Sequence, residues 1–134
     1  MWSVGPTDSV LTALEIMTEN NIGFLPVLES DRLVGVLSER DCARNAVRNR
    51  MPLESTPVEE IMMCNVVTID LAQTFADCLK LMHRHGVRHL PAVKSGKVVA
   101  VVSIRDLLSE AVAHQAKIIA ELERERLMMF TSTA

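Results

Sequence analysis

Residues 101–108 read VVSIRDLL, and residues 36–43 read VLSERDCA. In both stretches an apolar run stops at a serine, and an arginine and an aspartate follow after one residue. The two aspartates, Asp41 and Asp106, stand 65 residues apart. The same offset joins Leu14 to Leu79, Met17 to Met82, Leu25 to Leu90, Pro26 to Pro91, Val34 to Val99, Ser38 to Ser103 and Arg40 to Arg105. So many identities at one spacing, with no gap, mark an internal duplication.

Each copy has a readable order of elements. In the second, NVVTI (65–69) reads as a short β-branched strand. A helix over 72–85 follows, with Phe75, Leu79 and Met82 at helical spacing and Gly86 placed to end it. RHLPAV (88–93) reads as a second strand, and KSGK as a turn with Gly at its tip. VVAVVSI (98–104) is almost wholly apolar, as in a strand buried on both faces. RDLLSEAVAHQ opens a second helix. The unit is β-α-β-β-α, and the first copy repeats it. The expected fold is α/β (α+β), with two such repeats packed sheet to sheet about a pseudo-two-fold axis and a long C-terminal helix. The expected boundaries are repeat 1 over 1–50, a linker over 51–64, repeat 2 over 65–114 and a helical extension over 115–134. In the linker, Thr56-Pro57-Val58-Glu59 has the form of a capping box and predicts a short helix over 57–63. Repeat 1 has no such lead-in, because Met1 aligns with Val66, so sequence upstream of Met1 is expected.

Composition narrows the function. The 134 residues are 49% hydrophobic and only 3% aromatic, so the core must be aliphatic. A net charge of −3 gives no electrostatic footprint for nucleic acid. The longest apolar run, VVAVV, is far short of the roughly 20 residues that span a bilayer. No secretory leader is read at the N-terminus. Cys42, Cys64 and Cys78 are odd in number and form no C-x-x-C pair, which fits a reduced, cytoplasmic chain.

The polar ends of the strands admit two readings. Ser at a helix N-cap with Asp three residues on is a good cap in its own right. The same geometry is an anion site: a hydroxyl and first-turn N–H groups can hold a phosphate, and an acidic residue can take ribose hydroxyls. Val36, Leu37, Val101 and Val102, at the strand ends, would wall a base. Recurrence in register favours paired ligand clefts over capping alone.

An LP pair before a turn, a buried strand, and then G-h-h-S-x-x-D opening a helix, repeated after a linker, resembles the CBS (cystathionine-β-synthase) domain. Two in tandem resemble a Bateman module. GVLSERD (35–41) fits the pattern. AVVSIRD (100–106) departs from it, with Ala100 in place of Gly. The resemblance covers the chain up to about the last 20 residues. It implies a non-catalytic regulatory module with two clefts that take adenosine-containing molecules: AMP, ADP or ATP, sometimes NAD or S-adenosylmethionine. By position it implies that Asp41 and Asp106 take ribose hydroxyls, with Ser38 and Ser103 near ribose and phosphate. Ile22-Gly23-Phe24-Leu25-Pro26 and Val87-Arg88-His89-Leu90-Pro91 would flank the base. Arg88 and His89 match phosphate-contacting cations of some relatives, and Arg40 and Arg105 could also reach phosphate. With Gly23 and Phe24 opposite Arg88 and His89, the clefts should differ, the Arg88-His89 side being better equipped for phosphate.

Other constellations carry less. His83, His85 and His89 lack a set of partners for a tetrahedral metal site. No nucleophile–base pair and no Gly-rich phosphate loop is readable, so an enzyme is not expected. Leu108, Val112, Gln115, Ile119 and Leu122 step by four and three, a heptad seam that Ala111 and Ile118 widen. That seam points to a homodimer of modules acting on an effector protein that the sequence does not identify. The alternative to a sensor is a dimerisation scaffold whose clefts are vestigial.

Overall fold

Ser9 and Thr74, 65 residues apart, start the first helix of each repeat. The Ser9 hydroxyl accepts the Thr12 N–H at 3.0 Å. Thr74 closes a full capping box with Asp77, at 3.1 Å in both directions, and those bonds hold the Asp77 carboxyl below the usual carboxylate range. In this computed structural model, which describes residues 1–132, the elements are α1 (Val10–Glu19), β1 (Phe24–Glu29), β2 (Arg32–Ser38), α2 (Glu39–Arg48), α3 (Phe75–His85), β3 (His89–Lys94), β4 (Lys97–Ser103) and α4 (Ile104–Ser132). A 3₁₀ turn, Val58–Glu60, lies between α2 and α3. The last two residues of the expected extension, 133 and 134, lie outside the described residues.

The repeats fold alike because their cores are the same positions. Val4, Ala13, Met17, Leu25, Val27 and Cys42 are buried in the first. Their counterparts at the 65-residue offset, Ile69, Cys78, Met82, Leu90, Ala92 and Leu107, form the whole buried cluster of the second. Each repeat holds an antiparallel hairpin, β1 with β2 and β3 with β4. The hairpin turns are Ser30-Asp31 and Ser95-Gly96, and all four residues have positive φ, as two-residue hairpins with the native twist require. Both hairpins carry a bulge at the same place, after Val27 and after Ala92, which leaves Val34 and Val99 as the extra residues. Gly86 ends α3 in the left-handed conformation, as its position suggested.

Several expectations are corrected. The first strand of each repeat shrinks to one parallel bridge, Val4 with Val27 and Ile69 with Ala92. Val4 makes two backbone bonds, to Pro26 and Leu28, and Ile69 makes two, to Pro91 and Val93. Pro6, which has no N–H, and an Asp70 turn end the pairing there. The linker helix over 57–63 is only the 3₁₀ turn. Its capping box does not form, because the turn starts at Val58 with Pro57 and not Thr56 at the N-cap; the Thr56 hydroxyl donates to the Pro52 carbonyl at 2.6 Å. Phe75, at helical spacing with Leu79 and Met82, is exposed at the first position of α3. Its counterpart Val10 is fully buried, because residues 51–63 lie over repeat 1: Val10 N–H reaches Thr56, Leu11 N–H reaches Leu53, and Val58 N–H reaches Asp8. No described segment covers α3 in that way.

β4 is less covered than its composition suggested. Val99 is exposed, and Val98, Ala100, Val101 and Val102 are only partly buried, so the strand is not hidden on both faces. On β2, Val36 exchanges two backbone bonds with Met63, each 2.9 Å, and Gly35, Val36 and Leu37 are buried. This contact also accounts for glycine at 35. A Cβ on Gly35 would sit 2.6 Å from the Met62 sulfur and 3.0 Å from the Met63 carbonyl oxygen. Helix α4, about 43 Å long at 1.5 Å per residue, packs on α3 and β4 at its start. Leu108, Val112, Ile119 and Leu122 of the heptad seam remain exposed. No described helix is long and apolar enough to cross a membrane. We expect Gly35→Ala to lower unfolding stability by about 1–2 kcal/mol, through overpacking of the linker against β2. Urea denaturation would measure it, with Ala100→Gly changing stability by less than about 1 kcal/mol.

Candidate functional site

At the end of β2 the chain turns into α2, and at the end of β4 it turns into α4. Both serines cap. Ser38 Oγ accepts the Asp41 N–H at 3.0 Å, and Ser103 Oγ accepts the Asp106 N–H at 3.1 Å. The next hydrogen bonds differ. Asp106 Oδ2 also accepts the Ser103 N–H at 3.2 Å, closing a capping box, whereas Asp41 makes no such return bond. The Glu39 N–H is taken by the Gly23 carbonyl at 2.9 Å and the Ile104 N–H by the Arg88 carbonyl at 2.8 Å. That leaves the N–H groups of Arg40 and Arg105 as the first-turn donors for an incoming anion. The capping chemistry is therefore real, and it positions both carboxylates at the mouths of clefts.

Two clefts lie between the repeats. One, of about 990 Å³, is lined by Ser103, Arg105 and Asp106 of repeat 2, Ile22, Gly23, Phe24 and Pro26 of repeat 1, and Val101. The other, of about 440 Å³, is lined by Ser38, Arg40 and Asp41 of repeat 1, Val87, Arg88, His89 and Pro91 of repeat 2, and Val36. Each cleft thus faces the serine–aspartate cap of one repeat with the strand entry of the other. Both volumes fall in the range of small-molecule sites. The smaller cleft is also lined by Met63 of the linker and by Asn65.

Of the residues singled out in the sequence, Leu25, Leu37 and Leu90 line neither cleft. They are fully buried in the repeat cores, since successive side chains of a strand point to opposite faces. Val102 likewise packs against the core of repeat 2. The expectation that Arg88 and His89 equip one cleft is also revised: both residues line both clefts, as do Gly23, Phe24 and Glu39. The reason is the axis. Phe24 and His89 are counterparts at the 65-residue offset, and their rings stack with centroids 4.5 Å apart and planes 8° from parallel. Counterparts that touch lie on the pseudo-two-fold. Burial holds the His89 imidazole below the usual histidine range; Asp106 opposes that shift and Arg88 adds to it.

Sequence reasoning missed several lining residues. Met1 and Trp2 wall the larger cleft, and their counterparts Val66 and Val67 wall the smaller. The repeat offset was the available signal, since it pairs these positions as it pairs the aspartates. Arg44, one turn after Arg40, adds a cation to the smaller cleft. Cys42, beside Asp41, is no nucleophile: burial, and then the Asp41 charge, push its thiol up to about 11. Among the described residues no three His, Cys, Asp or Glu side chains group as a metal site.

Comparison with known proteins agrees with this architecture. The CBS domain family pattern matches residues 1–48 and 58–113. The CBS domain-containing protein YhcV of Bacillus subtilis is 30% identical over 115 residues, which is 85% of this chain and 81% of that one. A 17.7 kDa protein of Acidianus ambivalens is 37% identical over 109 residues, 80% of this chain and 65% of its own length. Of a longer Arabidopsis thaliana relative, CBSCBSPB1, the chain spans only 20%. The crystal structure of the CBS domain NE2398 superposes with a TM-score of 0.78 at 42% identity, covering 82% of this chain and 86% of that one. Two further structures share the fold at 24% identity. One is CBSX2 in complex with AMP, with a TM-score of 0.75. The other is the CBS domain pair of MJ0100 in complex with 5-methylthioadenosine and S-adenosyl-L-methionine, with a TM-score of 0.74. With two matching segments, two equivalent cores and paired clefts, this chain belongs to the CBS domain family and is a tandem CBS domain pair.

Proposed function

We propose that the protein is a non-catalytic regulatory module that senses an adenine nucleotide, AMP, ADP or ATP, in the clefts between its CBS repeats. The observation that carries this reading is the facing of each serine–aspartate cap by the other repeat's strand entry. A carboxylate for ribose hydroxyls, a first-turn N–H with an arginine for phosphate, and aliphatic walls for a base thereby meet in one cleft. The adenosyl ligands of CBSX2 and MJ0100 support the ligand class. A ligand acts here only by preferring one arrangement of the repeats over another, because differential affinity is what shifts a conformational equilibrium. NAD and S-adenosylmethionine carry the same adenosyl group and belong in the same test.

Calorimetric titration with AMP is expected to give two binding equivalents in the wild type and one in each of Asp41→Ala and Asp106→Ala. Absence of heat with AMP, ADP, ATP, NAD and S-adenosylmethionine at millimolar concentration would leave the protein as a scaffold.

Affinity for AMP is also expected to depend on pH. A phosphate in either cleft favours the charged imidazole, so the bound protein holds the His89 proton more tightly than the free protein does, against the nearby Arg88 and with the help of Asp106. Binding then takes up protons and strengthens as pH falls from about 8 to 6.5, a range in which the AMP phosphate, with its second pKa near 6, stays largely dianionic. In His89→Phe, which keeps an aromatic ring on Phe24, that pH dependence should flatten.

The same reading includes a homodimer. Leu108, Val112, Ile118, Ile119 and Leu122 form an exposed stripe on α4, and such a stripe is stabilised by a partner. The double variant Val112→Glu/Ile119→Glu is expected to sediment as a monomer, where the wild type sediments as a dimer. Equal sedimentation coefficients would remove α4 from the interface.

A further inference from the structure

A duplicated chain with two clefts would be expected to build each phosphate site from its own copy of the same residues. Here the copies diverge at the axis. Repeat 2 supplies Arg88 and His89, and the counterparts in repeat 1 are Gly23 and Phe24, which carry no charge. Because Phe24 stacks on His89 across the axis, all four residues line both clefts. The two clefts therefore have one guanidinium and one imidazole between them on the shared wall. The shared acid is Glu39, whose carboxylate lies by Gly23: a Cβ there would be 3.5 Å from Glu39 Oε2. Away from the wall the clefts are separately furnished, with Arg105 in the larger and Arg40 and Arg44 in the smaller.

We propose that the two clefts bind phosphorylated ligands with negative cooperativity, because they share the single Arg88 guanidinium and the single His89 imidazole on the pseudo-two-fold axis. This rests on the nucleotide-sensing reading above and extends it. A first phosphate draws the Arg88 side chain, and the proton that His89 takes up on binding, to its own side. A second phosphate then meets a wall whose cations are already engaged, and it also meets the charge of the first ligand. The smaller cleft, with Arg40 and Arg44, fills first. A neutral nucleoside makes no demand on the shared cations, so adenosine occupies the two clefts independently.

The test separates coupling from mere inequality of the clefts. AMP affinity is measured by calorimetry for the Asp106 cleft alone, in Asp41→Ala, and for the Asp41 cleft alone, in Asp106→Ala. Those two constants predict the wild-type isotherm if the clefts are independent. The expected result is that the second AMP binds the wild type about three- to tenfold more weakly than they predict, as two anions sharing one partly screened wall would. Adenosine should follow the independent prediction. In Arg88→Ala, with affinities referenced to Arg88→Ala/Asp41→Ala and Arg88→Ala/Asp106→Ala, the discrepancy for AMP should shrink. A wild-type AMP isotherm reproduced by the single-cleft constants would overturn the proposal while leaving nucleotide sensing intact. Absence of any AMP heat would instead overturn the sensing reading itself. A discrepancy of equal size for adenosine would assign the coupling to shape and not to the shared cations, and would also overturn the proposal.

Discussion

A two-stranded hairpin is marginal in water by itself. Each repeat makes one such hairpin and packs its helices on one face only. The apolar strand that remains, β2 or β4, needs cover on its other face, and the two meet each other. This requirement organises the molecule. It brings the C-terminal ends of both apolar strands to the junction between the repeats, where each chain turn into a helix presents a serine, an arginine and an aspartate. It also places the strand entries Ile22–Phe24 and Val87–His89 at the same junction, because each entry pairs with its own strand's end: Phe24 with Ser38 and His89 with Ser103. The clefts are what remains between two units that cover one another imperfectly.

The linker makes the covering unequal. Residues 51–63 bond to α1 and to the loop before it, and Met63 pairs with Val36. Repeat 1 thereby gains Val10, Leu37 and Val58 as buried core positions beyond the six it shares with repeat 2. Gly35 is the local record of that cover. Met63 and Asn65 also line the Asp41 cleft.

Much of this was legible in the sequence. The 65-residue offset identified the repeats, the hairpins and both serine caps, because capping and hairpin turns are local and depend on a few residue types. What the sequence did not show is what depends on contact between distant segments. Phe75 has the helical spacing of a core residue yet is exposed, because spacing does not reveal which segment lies above it. Thr56-Pro57-Val58-Glu59 has the letters of a capping box, but the turn starts one residue later, with Pro57 at its N-cap. Leu25, Leu37 and Leu90 sit beside cleft residues in sequence and turn away from them in space. Arg88 and His89 were assigned to one cleft because the sequence locates residues within a repeat and not on the axis between repeats.

The shared wall has a consequence for how such a protein can change over time. A substitution at Arg40, Arg44 or Arg105 alters one cleft and leaves the other as it was. A substitution at Gly23, Phe24, Glu39, Arg88 or His89 alters both at once. Duplication ordinarily frees one copy to drift while the other keeps its task. On the axis that freedom is lost, and the two halves of this chain must there be selected as one.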